Sequence, residues 1–212
     1  MTGKKSGSAI NKLEIVFLAL VFGGLSPIFC FLAGWWGAYF FAPENQIPVF
    51  MLAGLELGII IDLLFLGKWI RAAYRISPLI LITIYLFYSV GIFGFFMGVP
   101  VFNIIMGPLA GFYIGRRLGI EKGSSEEKER IIHWAGLFTA FILAVACLAA
   151  LVLAASESTL AANVNGMFHD MFGLNLSFDN QTLLILSSLA GVGMIVAEYY
   201  LTRAAAKKVV RI

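Results

Sequence analysis

The stretch LAGLELGIIIDLLFLGKWI, Leu52–Ile70, is apolar enough to cross a membrane, yet it carries Glu56 and Asp62. Its length sets the fold class. About 19 residues at 1.5 Å each give ~28 Å of helix, close to the thickness of bilayer hydrocarbon. Two carboxylates inside such a span then have to find a counter-charge, a donor or water.

The rest of the chain repeats the pattern. Of its 212 residues 60% are apolar and only 13% charged, with a mean hydropathy of +0.92. A soluble domain carries about a quarter charged residues, so this chain has too small a polar shell for water. Hydropathy divides it into six spans, about 13–41, 47–66, 78–98, 100–115, 131–155 and 181–202. The expectation is an all-α, polytopic integral membrane protein, a single domain of six transmembrane helices. Leu13–Phe41 is too long for the apolar core of a signal peptide and reads as a retained first helix. GGLSP at Gly23–Pro27 predicts a kink or break in it. The fourth span is short and bounded by Pro100, and it joins the third around Gly98.

Direction follows from charge. All fifteen Lys and Arg fall before span 1, between spans 2 and 3, between spans 4 and 5, or after span 6. The opposite loops hold only acids: Glu44, Glu157, Asp170 and Asp179. The positive-inside rule places both termini in the cytoplasm, with the plasma membrane as the expected location. The basic rim and the tail RAAAKKVVRI are then positioned to meet anionic lipid headgroups. Topology already accounts for these charges, so they give no support to nucleic-acid binding.

Local signals agree. Asn11-Lys12-Leu13-Glu14, with Ile10 and Ile15 as a staple, and Ser124-Ser125-Glu126-Glu127 read as capping boxes. In the last external loop Leu160, Val164, Met167 and Met171 recur at helical spacing beside Phe168 and Phe172, with Gly173 as a stop signal. That predicts an amphipathic helix lying at the outer surface. His169 and Asp170 are neighbours there and diverge by about 100°, so they do not form a catalytic pair. Cys30 and Cys147 lie in apolar segments and read as small packing residues.

The two carboxylates of span 2 are six residues apart, about 240° around the helix, and do not share a face. Glu56 falls at the midplane, where no Lys or Arg reaches, and is the expected proton- or cation-binding group. The helix interruptions at Ser26-Pro27 and Gly107-Pro108 lie at similar depth and free backbone carbonyls, so Ser26 and Asn103 join Glu56 as candidate ligands. Asp62 and Glu198 lie nearer the basic rim and are expected in structural ion pairs, Asp62 with Arg116 or Arg117 and Glu198 with Arg203. Tyr85, Tyr88, Ser89, Ser187 and Ser188 are available to complete a polar centre. Gly107, Gly111 and Gly115 form a ridge suited to close packing within the bundle, and Gly54 and Gly58 flank Glu56.

Nucleophile, zinc, dithiol and phosphate-loop motifs are absent, as are metal-ligand spacings, so an enzyme is the weaker expectation and no cofactor is indicated. The leading expectation is a small transporter or ion-conducting protein with Glu56 as its ion or proton site. The second is an integral subunit of a larger complex, for example of an uptake system, docking a partner or a second copy. A membrane enzyme using the inner-rim carboxylates is third.

Overall fold

The computed structural model describes residues 12–121, 123–173, 175 and 177–210. Eight α-helices and no strands are found among them. They are α1 (Lys12–Gly23), α2 (Leu25–Phe41), α3 (Ile47–Ala72), α4 (Pro78–Phe95), α5 (Met106–Ile120), α6 (Ser125–Ser156), α7 (Leu160–Phe172) and α8 (Asn180–Val210). Short 3-10 turns at Glu44–Gln46, Ala73–Arg75 and Pro100–Ile105 connect or lead into them. Five helical segments are long and apolar enough to cross a membrane: Glu14–Phe41, Glu44–Arg75, Pro78–Phe95, Ser125–Ser156 and Asn180–Val210. Large apolar side chains cover their outer surfaces, with Leu63, Leu79 and Phe95 each more than 70% exposed. In water that surface would aggregate; in hydrocarbon it is solvated.

The chain divides into two compact units, one running to Leu81 and the other from Ile82 on. In the first, α1 and α2 form one span interrupted at Gly24. The cause is Pro27, which has no N–H to give the Gly23 carbonyl. Helical bonding resumes on either side, Gly24 N–H to Leu20 O at 3.2 Å and Ile28 N–H to Gly24 O at 3.2 Å. At the far end of α2, Trp36, Tyr39, Phe40 and Phe41 stack into an exposed aromatic group, the composition that settles at a membrane interface. The capping box proposed at Asn11 lies outside the described residues. Glu14 itself is buried and accepts a hydrogen bond from the Tyr74 hydroxyl at 2.5 Å.

The second unit contains α4 from Ile82 onward, then α5 to α8. The junction after α4 is a Schellman turn: Gly98 N–H bonds Phe93 O at 2.8 Å and Met97 N–H bonds Gly94 O at 3.1 Å. Met97 takes the left-handed position at φ 55°, usually left to glycine, and Gly98 follows at φ 82°. Ser124 caps α6, accepting from Glu127 N–H at 3.2 Å, as the sequence indicated. Helix α7 forms where the loop was expected to be amphipathic and ends at Gly173, φ 65°. The side chains of Phe168, Met171 and Phe172 on its apolar side lie outside the described residues. Asn165 exchanges two hydrogen bonds with the Phe178 backbone, and Asn180 binds Ala161 N–H, fastening α7 to the start of α8. Asp179 caps α8 through Thr182, whose hydrogen bonds hold its carboxyl below the ordinary carboxylate range.

Within each unit one helix pair packs backbone to backbone. Ideal Cβ atoms built at Gly34, Gly54 and Gly58 would overlap the Phe50, Cys30 and Ser26 carbonyls, so α2 and α3 touch without a side-chain layer between them. Gly111 and Gly115 of α5 likewise abut the carbonyls of Thr202 and Ala206 on α8. The Gly107–Gly111–Gly115 ridge is thus used inside the bundle. Gly111→Ala is expected to cost about 1–3 kcal/mol, because backbone cannot retreat as a side chain can. Gly119→Ala, on the same helix with open space around it, should be neutral or stabilise by up to ~1 kcal/mol. Thermal unfolding of the two purified variants, side by side, checks the pair.

Candidate functional site

Rows of small residues lead to two of the buried carboxylates, Asp62 and Glu198. On α3, Gly54, Gly58 and Asp62 stand at i, i+4 and i+8 and so share one face. The glycines press α2 close enough that Asp62 meets the interruption between α1 and α2. Its carboxylate lies beside the Ser26 side chain, and its Oδ2 is 3.7 Å from where a Cβ on Gly23 would sit. Asp62 is 9% exposed, and its Oδ1 has no hydrogen-bond partner among the described residues. Glu56, on the other side of α3, is exposed. Ser26 therefore meets Asp62, rather than Glu56 as the sequence suggested. The packing face of α3 is set by Gly54 and Gly58, and Glu56 is rotated off it.

The second unit builds the same kind of arrangement with the parts exchanged. Here glycines and proline are on α5, and the carboxylate is on α8. Glu198, Thr202 and Ala206 repeat every four residues and face Gly107, Gly111 and Gly115. Glu198 is fully buried. The Tyr85 hydroxyl donates to its Oε1 at 3.4 Å, and the backbone of Gly107 at the start of α5 lies against the carboxyl group. Gly107 is required here: a Cβ would fall 2.5 Å from the Glu198 carboxyl carbon and 2.5 Å from Thr202 Oγ1. The start of α5, the positive end of its dipole, lies beside the acid. Oε2 of Glu198 has no hydrogen-bond partner among the described residues.

Around this acid the buried polar groups are linked. Tyr85 packs on Phe138, ring centroids 5.3 Å apart, and hydrogen-bonds the Ser89 side chain. Asn103 Nδ2 donates to Ser89 O at 2.8 Å, which fixes the amide orientation and leaves Asn103 Oδ1 buried with no partner among the described residues. Thr202 reaches Glu198 O and Thr139 Oγ1, each at 2.8 Å. Asn103 thus belongs to a buried polar cluster, as proposed from the sequence, though the acid at hand in its own unit is Glu198. Tyr85 and Ser89 were both legible as polar-centre residues. Thr139 and Thr202 were missed, although the Glu198-x3-Thr202-x3-Ala206 spacing on α8 complements the glycine ridge and could have found them.

Among the described residues the ion pair expected of Glu198 with Arg203 is not formed. Five residues on a helix turn through about 500°, so Arg203 points roughly 140° away from Glu198. Arg203 instead binds Glu129 at 2.5 Å and the Tyr199 hydroxyl at 2.7 Å, while Lys207 shares Glu129 at 2.6 Å and His133 Nδ1 meets Tyr199 at 2.8 Å. Arg117 pairs with Glu121 one turn along α5, at 2.8 Å. Arg116 lies beside it on the same helix, at the end the sequence assigned to the basic rim. Cys30 and Cys147 are free thiols, and Cys147 packs within 4 Å of the Gly191 Cβ position. No cluster of metal-ligating side chains occurs among the described residues.

Comparison of the chain with protein-family models, with curated proteins and with solved structures finds no match. Function therefore has to be argued from the site. Asn103→Ala is expected to cost about 1–3 kcal/mol by leaving the Ser89 carbonyl without its donor. Asn103→Asp should cost more, since it removes the same donor and adds a second buried acid. Unfolding midpoints of the two variants in one detergent rank them.

Proposed function

We propose that this chain is a small membrane transporter or ion-conducting protein whose ion or proton site is the buried carboxyl group of Glu198. The observation that carries the reading is the state of that group. It is fully buried among apolar helices and one oxygen meets Tyr85, yet Oε2 has no donor among the described residues. A carboxylate in that setting needs a proton or a bound cation to balance it. Carboxyl groups at this depth in membrane helices mark ion and proton routes. The Pro-interrupted start of α5 adds the feature transporters use to build such sites.

The same reading takes the chain as six spans with both termini in the cytoplasm, in the plasma membrane. The sixth crossing is the 3-10 turn Pro100–Ile105 followed by α5. Six residues at ~2.0 Å and fifteen at 1.5 Å give about 34 Å, enough for the hydrocarbon layer. The distribution of Lys and Arg supports the orientation. The basic ends then lie among anionic headgroups.

A second reading, an integral subunit of a larger complex, draws on Glu56. An exposed carboxyl group in the middle of an apolar span would be covered by a partner subunit or a second copy rather than by lipid.

Proteoliposomes under imposed proton, sodium and potassium gradients test the first reading. Wild type should move one of these ions, Glu198→Gln should abolish the movement, and Glu56→Gln should retain it. No movement by wild type, or equal movement by Glu198→Gln, would overturn it. Loss in Glu56→Gln alone would return the site to α3. Orientation is checked in a Cys30→Ser, Cys147→Ser background. A cysteine at Ser158 should react with impermeant reagent from outside the cell, and one at Ser125 only after lysis.

A further inference from the structure

The first unit holds a buried acid that the transport reading does not use. Asp62 is 9% exposed and lies beside the Ser26 side chain. Its Oδ1 is buried and has no hydrogen-bond partner among the described residues. Ionised, such an acid in an apolar helix pair costs several kcal/mol unless a cation sits beside it.

Close to Asp62 stand the backbone of Gly23 and the side chain of Ser26. Pro27 has no N–H, so the carbonyl of Gly23 loses the donor that would close its helical turn. Gly23 also keeps the space beside Asp62 open: a Cβ there would stand 3.7 Å from Asp62 Oδ2 and 3.3 Å from Leu66 Cδ2. The Ser26 hydroxyl brings a third kind of oxygen. Carboxylate, hydroxyl and backbone carbonyl are the ligands of a hard cation, whereas softer metals take nitrogen or sulfur. There is one carboxylate, so one positive charge balances the site; a calcium-type site gathers several carboxylates. Interrupted helices whose free carbonyls meet an acid are how membrane proteins hold sodium.

We propose that Asp62, Ser26 and the Gly23 carbonyl bind one monovalent hard cation, of which sodium is the type. The site lies wholly within the first unit and is independent of the Glu198 reading. A chain that binds sodium here need not transport it, and a transporter using Glu198 need not bind sodium here.

Equilibrium binding of radioactive sodium to the purified full chain in detergent tests this directly. Wild type should bind saturably, displaced by unlabelled sodium and not by choline. Asp62→Asn should weaken binding about ten-fold or more, and Ser26→Ala should weaken it to a smaller, measurable extent. Absence of saturable binding in wild type, or wild-type affinity in Asp62→Asn, would overturn the proposal. So would loss of binding in Glu198→Gln with retention in Asp62→Asn, which would move sodium to the second unit. If Asp62→Asn does not fold, the sodium-dependent rise in melting temperature decides: it should be smaller in Ser26→Ala than in wild type, and equal rises would overturn the site. Sodium binding without any ion flux would leave this site standing and remove the transport reading instead.

Discussion

Backbone contact between helices is the constraint on which the rest depends. Gly54 and Gly58 let α3 rest on the carbonyls of α2, Gly111 and Gly115 let α5 rest on those of α8, and Gly107 leaves room for the Glu198 and Thr202 side chains. Hydrocarbon gives helices no hydrophobic reason to associate, so close van der Waals contact has to supply the attraction. The same closeness positions an acid. At the end of each row, where the next small residue would be, one helix carries a carboxylate and the other a proline-interrupted turn. The short distance lets Glu198 and Asp62 reach backbone that a leucine-lined interface would keep out of range.

The two units arrive at this arrangement by different assignments. In the first, glycines and acid share α3 while the proline is on α2. In the second, glycines and proline share α5 while the acid is on α8. Inverted repeats of a transporter would be expected to exchange like for like. The exchange of roles here argues that the resemblance lies in the physics of packing a carboxylate against interrupted backbone, rather than in duplication of a sequence.

The sequence showed the helical class and the elements well, because apolar runs of this length and boundary signals such as Pro100 and Gly173 are strong. The interruptions at Ser26-Pro27 and Gly107-Pro108 were legible too, since a missing proline N–H is visible without coordinates. Which acid faces each of them was not. Depth alone favoured Glu56, and proximity to basic residues suggested ion pairs for Asp62 and Glu198. Facing is decided by rotation, and the small residues four and eight positions away carry that information. Gly54-x3-Gly58-x3-Asp62 points Asp62 inward and leaves Glu56 outside; Glu198-x3-Thr202-x3-Ala206 does the same on α8. The hydrogen bonds among Asn103, Ser89 and Tyr85 depend on how three separate helices meet, which spacing within any one of them does not encode.

Contact between backbones also governs what can move. Side chains at an interface can change rotamer and let one helix slide or roll against another. The α5–α8 seam has carbonyl oxygens set against Cα atoms, so a small rotation drives one rigid chain into the other. The pair behaves mechanically as a single beam. Any rearrangement that opens a path to Glu198 has to carry that beam intact and bend somewhere softer. The Met97–Gly98 corner ahead of α5 is built for it: two left-handed residues, one of them an almost fully exposed methionine held only by its turn.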